Sequence, residues 1–382
     1  RYNALFFEQN GNVEEPPRAN KAFWHILSDR LEDKLAGFDK TKPLAESRRI
    51  ISEACLYAGA EKGGIRRLYA PTGGGKTLAS LRYALEQAKE SGKKRIFYII
   101  PFTTIIDQTA KELRETLGDE SFIVEHHSGV LWEESGEGDD LNPRELYTER
   151  WNAPIILTTM VQFLDTCYSG RLGCVRRMQG LEDAVLIFDE VQAIPSKCID
   201  LFNAACTFLC RHCNASILLC TATQPDLYRA NFPLRYEDDV IADPSVLDLA
   251  FRRTRIVNLR DRGQMTAEQL ADFCRERMKT HRSLLVVLNT RYAVRKLYKS
   301  LAGKVDSDIH VIHLSTLMCG AQRKDRVAEI KELLNTERVI CVSTQLIEAG
   351  VDLSFSFGTF TPPHENSRSA SCGGYIKPFA MS

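Results

Sequence analysis

The chain has 382 residues, too many for one ordinary core, and a prior of roughly 150 residues per domain points to two lobes. Its 50 basic and 50 acidic residues cancel, which excludes a global positive field drawing it onto nucleic acid or an anionic membrane, so any such binding has to be local. No apolar run approaches the roughly 18 residues needed to cross a bilayer, the charged and aromatic N-terminus lacks a signal-peptide profile, and twelve scattered cysteines fit a reducing compartment, so a cytoplasmic location is expected.

Residues 1–44 mix acidic, aromatic and proline-containing segments and read as a linker or the remnant of a preceding domain. A first lobe is expected over 45–250. It opens with LAESRRIISEACLYAGA, a helical pattern in which Ile50, Ile51, Ala54 and Tyr57 share a face. The short strand IRRLYA then runs into APTGGGKT, followed by Leu78, Leu81, Leu85 and Ala88 at helical spacing. A glycine run between a strand and a helix lets successive N–H groups converge on phosphate oxygens, with the helix N-terminus favouring the anion. Thr72, Gly73, Gly74 and Gly75 therefore form the candidate cradle of a nucleotide triphosphate. Lys76 would reach the β- and γ-phosphates, and the Thr77 hydroxyl would ligate Mg²⁺. The loop begins with Ala70 in place of the usual glycine.

Further along, the runs RIFYII (95–100), PIILTT (154–159), AVLIFDE (184–190) and SILLCTAT (216–223) alternate with helical stretches, which predicts a mostly parallel sheet covered on both faces. Special residues collect at the carboxyl ends of these runs, from Pro101 to Thr104, at Thr158 and Thr159, at Asp189 and Glu190, and from Thr221 to Thr223, and that edge is where open α/β sheets bind ligands. An apolar strand ending in two carboxylates is the partner a P-loop needs for hydrolysis: Asp189 would hold Mg²⁺ and Glu190 would orient and activate the attacking water. Thr221 and Thr223 could relay between those carboxylates and a neighbouring lobe. Cys206, Cys210, His212 and Cys213 crowd one short segment without a second ligand pair, and read as packed thiols rather than a zinc site. Residues 225–283 read as the passage into a second lobe, where SLLVVLN, IHVIHL and RVICVS resume the alternation.

Taken in order, APTGGGKT, PFTTIIDQT, TTMVQFLDT, DEVQ, TAT and STQLIEAGVDLSF resemble the motifs of superfamily 2 helicases. More narrowly, DEVQAIPSK, TATQP, HLSTLMCGAQRKDR and STQLIEAGVDLSF are similar to the helicase part of the CRISPR-associated helicase-nuclease of type I systems, over about residues 45–355. The resemblance implies an ATP-driven motor of two RecA-like lobes, with ATP between them and single-stranded DNA across both. Carried over to this sequence, it assigns Pro101, Thr103, Thr104, Thr158, Thr159, Gln162 and Thr344 to the strand, and Gly350 and Asp352 to coupling that grip to the nucleotide. It also implies recruitment by a CRISPR surveillance complex and cleavage by a nuclease of HD type, here in a separate domain or protein.

Two departures bear on that picture. None of the eight histidines is followed by Asp, so no HD dyad is present and cleavage by this chain is not expected; His126 and His127 read as a strand-end pair lacking metal-spaced carboxylates. The motif Q-x-x-G-R, whose arginine would reach the γ-phosphate, does not occur after residue 355. Residues 251–355 are therefore expected to be a partial second lobe and 356–382 an irregular tail, as a truncated or frame-shifted gene would give, with weak turnover. Two other readings stay open: an RNA helicase of the same superfamily, and a non-catalytic ATP-binding fragment.

Overall fold

The computed structural model describes residues 19–42, 44–101, 103–118, 122–127, 150–223, 225–251, 265–315, 318–344, 347 and 353–360. The chain divides into two compact units, Arg1–Phe251 and Arg252–Ser382.

In the first unit six strands, β1 (Ile65–Tyr69), β2 (Arg95–Ile100), β3 (Ile123–His126), β4 (Ile155–Thr159), β5 (Ala184–Asp189) and β6 (Ser216–Thr221), pair in the order β1-β6-β5-β2-β4-β3. Every pairing is parallel. A parallel sheet covered on both faces needs strands that are apolar throughout, and alternation then decides which cluster each side chain joins. Leu68, Ile96, Tyr98, Val185, Ile187 and Leu218 enter one cluster. Phe97, Ile99, Leu186, Phe188, Ile217 and Leu219 enter the other.

The helices follow the strands: α1 (Lys21–Ala36), α2 (Ala45–Ala60), α3 (Lys76–Ser91), α4 (Thr103–Leu117), α5 (Met160–Tyr168), α6 (Leu172–Met178), α7 (Ile199–His212) and α8 (Ser245–Phe251). On α3, Leu78, Leu81, Leu85 and Ala88 are all buried, as their spacing predicts. On α2 the buried stripe is rotated from the predicted one: Ile51, Cys55 and Ala58 go inward, whereas Tyr57 is 70% exposed. On α7, Cys206 packs in the core beside the partly buried Cys210 and Cys213.

Two sequence expectations are corrected here. Residues 21–36 are not a linker: Asn20 caps α1 by accepting from the Phe23 N–H, and Trp24, Leu27 and Leu31 are buried in the same cluster as the α3 leucines. The Trp24 indole donates to the Lys93 carbonyl at 2.7 Å. Burying three such side chains contributes about 2–3 kcal/mol each, far more than a tethering segment gains. The second correction is at the other end, where Phe357–Phe360 is a strand, not irregular chain, and pairs in parallel with Ser283–Val287.

That strand, β10, belongs to the second unit. There β7 (Ser283–Val287), β8 (Ile309–Leu314), β9 (Arg338–Ser343) and β10 form a parallel sheet in the order β10-β7-β9-β8. Helices α9 (Ala267–Met278), α10 (Arg291–Leu301) and α11 (Gly320–Thr336) accompany it. Leu284, Val286, Ile340 and Val342 pack in one cluster, and Leu285, Val287 and Cys341 in another, so this sheet too is covered on both sides. Both units are α/β with mostly parallel sheets, the architecture of RecA-like lobes. Among the described residues no helix is long and apolar enough to cross a membrane.

Candidate nucleotide and strand-binding site

The loop after β1 has the backbone that its glycines permit. Gly73 and Gly75 adopt φ of 81° and 76°, and a Cβ on Gly74 would stand 2.8 Å from the Pro71 carbonyl oxygen. A left-handed turn this tight excludes side chains at these positions. Gly75 is the N-cap of α3, so the loop delivers the chain into a helix whose first residue is Lys76. The loop is braced from outside, where Arg48 Nε donates to the Gly73 carbonyl at 2.9 Å.

Because β1, β6 and β5 are adjacent, the loop after β1 lies beside the carboxyl ends of β5 and β6. Lys76 Nζ is 2.6 Å from Glu190 Oε1 and 3.7 Å from Asp189 Oδ1. Burial alone would lower the lysine pKa, but the two carboxylates outweigh it and hold the ammonium above its ordinary range. Glu190 itself sits at φ 51°, a left-handed conformation costing about 1–3 kcal/mol for a residue with a side chain.

A hydrogen-bonded chain continues from there. Gln192 Nε2 donates to Glu190 Oε2, and Gln192 Oε1 meets the Thr221 hydroxyl. Thr221 Oγ1 accepts from the Thr223 N–H at 3.0 Å and contacts the Thr223 carbonyl at 2.8 Å. Lys76, Glu190, Gln192, Thr221 and Thr223 are thus one polar network within the first unit. Gln192 was missed as a site residue, although the last letter of DEVQ marks the position. Thr77, partly buried on the first turn of α3, faces Glu112: burial raises the Glu112 carboxyl above its usual range, while a hydrogen bond from Thr77 pulls the other way. A phosphate cradle, a buried cation and a carboxylate at the next strand end fit a nucleotide triphosphate and its divalent cation.

The residues expected along a strand separate into different environments. Pro101 follows β2 directly and is partly exposed. Thr103 and Thr104 begin α4, and their side chains lie outside the described residues, as do Gly350 and Asp352 altogether. Thr158 is fully buried, and its hydroxyl donates to the His126 carbonyl at 2.9 Å. It therefore joins β4 to β3 and does not reach a surface. Thr159 caps α5 by accepting from the Gln162 N–H at 3.1 Å, which leaves Gln162 as the partly exposed member of that group. In the second unit Thr344 follows β9, 8% exposed, with its hydroxyl unpartnered among the described residues.

Comparison with known proteins agrees with both units. Residues 48–230 match the DEAD/DEAH box helicase family, and residues 280–362 match the C-terminal part of the CRISPR-associated nuclease/helicase Cas3. The Cas3 of Methanothermobacter thermautotrophicus is 26% identical over 329 residues, 77% of this chain and 36% of the relative. The Cas3 of Haloferax volcanii is 30% identical over 195 residues, 46% of this chain and 21% of the relative. The chain thus spans less than half of the length of the curated relatives it matches. Among solved structures, T. fusca Cas3 with ATP superposes with a TM-score of 0.67 over 94% of this chain and 45% of its own, at 16% identity. The DUF1998 helicase MrfA gives 0.54 over 82% of this chain and 42% of its own, at 17% identity; at such identities the likeness is one of fold. The motifs, the two parallel α/β units and the two family matches together support a Cas3-type helicase region of superfamily 2.

Proposed function

We propose that the chain is an ATP-dependent motor core that moves along single-stranded DNA during CRISPR interference. The observation that carries this is the network from Lys76 through Glu190 and Gln192 to Thr221, which connects a phosphate-binding loop to the end of a neighbouring strand. A site meant only to hold nucleotide has no need of that connection. In this reading Thr72 to Gly75 wrap the phosphates, Lys76 neutralises their charge, and Thr77 and Asp189 hold Mg²⁺, which supplies the charge stabilisation at the transferred phosphoryl group. Glu190 takes the proton of the attacking water. Thr221 and Thr223 carry the state of that carboxylate outward.

DNA is favoured over RNA by the resemblance of the motifs to the type I CRISPR helicase-nuclease, and the MrfA structure is one bound to DNA. Pro101, Thr103, Thr104 and Gln162 at the sheet edge, with Thr344 in the second unit, are the candidate strand contacts, since small polar groups and backbone N–H groups grip phosphates without reading bases. Gly350 and Asp352 are proposed to couple that grip to the nucleotide. Recruitment by a CRISPR surveillance complex belongs to the same reading. Its test is phosphate release measured with single-stranded DNA, single-stranded RNA and no nucleic acid. Stimulation by DNA well above RNA supports the proposal; preference for RNA supports the RNA-helicase reading, and ATP binding without turnover on any of them the nucleotide-binding one.

A further inference from the structure

We propose that Asp107, Glu125 and His127 form a binding site for a divalent first-row cation in the first unit, sharing no residue with the nucleotide site. The adjacent histidines read from sequence as lacking metal-spaced carboxylates, and the fold corrects this. Glu125 lies in β3 and His127 just beyond its end, two residues apart and hence on the same face, while His126 points to the other side, where Arg177 donates to its Nε2 at 3.0 Å and its ring packs edge-on against Trp151. The face bearing Glu125 and His127 meets α4, which supplies Asp107 from its second turn.

One ligand atom from each of the three residues lies within 4.8 Å of the other two. His127 Nε2 is 3.7 Å from Asp107 Oδ1 and 3.7 Å from Glu125 Oε2. These separations exceed an ordinary hydrogen bond, which spans about 2.7–3.2 Å. They are close to the edge of a metal tetrahedron, about 3.4 Å for bonds of about 2.1 Å. The other oxygen of Glu125 receives Arg114 Nη1 at 2.7 Å, which fixes the carboxylate and leaves Oε2 directed at the histidine. The imidazole is 3% exposed, whereas Asp107 is 41% exposed, so the cluster is walled on one side and open to solvent on the other.

Two carboxylate oxygens and one imidazole nitrogen suit Mn²⁺ or Zn²⁺, with water completing the shell. Such an ion would tie α4, the helix that begins with Thr103 and Thr104, to β3. Its role is to hold that helix in place.

The experiment uses the full chain, stripped by chelator and free of nucleotide, titrated with MnCl₂ while free Mn²⁺ is followed by electron paramagnetic resonance. Mn²⁺ is chosen because thiols bind it poorly, which keeps the cysteines silent. One bound Mn²⁺ per chain is expected, with a rise in Tm, and Asp107→Asn is expected to weaken binding on the order of tenfold or more. His127→Gln should do the same, and Asp107→Asn, at a half-exposed position, keeps the test available if the buried histidine variant does not fold. Asp189→Asn should leave this Mn²⁺ bound. Absence of binding, binding unchanged in Asp107→Asn, or binding lost in Asp189→Asn would overturn the assignment.

Discussion

The ammonium of Lys76 and the carboxylate of Glu190 are joined at 2.6 Å, across 114 residues of sequence. On the proposed function, phosphate would compete with Glu190 for the lysine, and nucleotide binding and release of the carboxylate would become one event. Removing the carboxylate charge should separate the two roles. Glu190→Gln keeps the shape, so ATP affinity is expected to be equal or tighter, while turnover falls by about 10²–10⁴ for loss of a general base. Calorimetric titration and phosphate release on the same preparation check both halves; hydrolysis at the parent rate removes Glu190 from the mechanism.

The P-loop backbone gives a second expectation. Gly75→Ala puts a Cβ on a residue at φ 76°, which costs roughly 1–2 kcal/mol outside glycine. ATP affinity should drop by about five- to thirtyfold if the loop keeps its nucleotide-binding shape only at that cost. Gly74→Ala should be at least as damaging, because its Cβ meets the rigid Pro71 carbonyl. Unchanged affinity for a fluorescent nucleotide in both variants would mean the loop is not the cradle.

How much of this was legible in the sequence depended on whether the signal was local. β2, β4, β5 and β6 are apolar runs of five or six residues, and they lie where the runs predict, within two residues at either end. β3 shows no apolar run, because IVEH is four residues long and half polar, and only the strand-end reading of His126 and His127 points to it. The P-loop and DEVQ could be read from chemistry alone, whereas Thr158 could not be judged. Threonine suits both a phosphate contact and a β-strand interior, and only the position of β3 sends its hydroxyl to the His126 carbonyl.

Helix α1 offers a third test. If Lys21–Ala36 is part of the first unit's core, Trp24→Ala should destabilise it by about 3–5 kcal/mol through the cavity alone, with a further cost for the Lys93 carbonyl left without its donor. Urea denaturation of the full chain, followed by circular dichroism, should show the earlier of its transitions moved to lower urea or the cooperative transition shifted as a whole. A midpoint equal to the parent's would return residues 21–36 to the status of a linker.

The last prediction concerns Gln192, the residue between the carboxylate and Thr221. Its two amide atoms meet Glu190 and Thr221 at once, so the side chain can report the state of the carboxylate to the end of β6 without itself touching nucleotide. Gln192→Ala should therefore leave ATP affinity near the parent value and lower the turnover that nucleic acid stimulates. Thr221→Val, which keeps shape and removes the hydroxyl, should do likewise. If the two act through their mutual contact, the double variant loses less than the sum of the single losses, by a coupling of about 0.5–3 kcal/mol in the activation free energy. A purely structural role for either residue would instead show as a lowered Tm with additive losses. The decisive measurement is the four-membered cycle of stimulated rates with Tm recorded for each protein, and additivity within about 0.5 kcal/mol would mean that the contact transmits nothing.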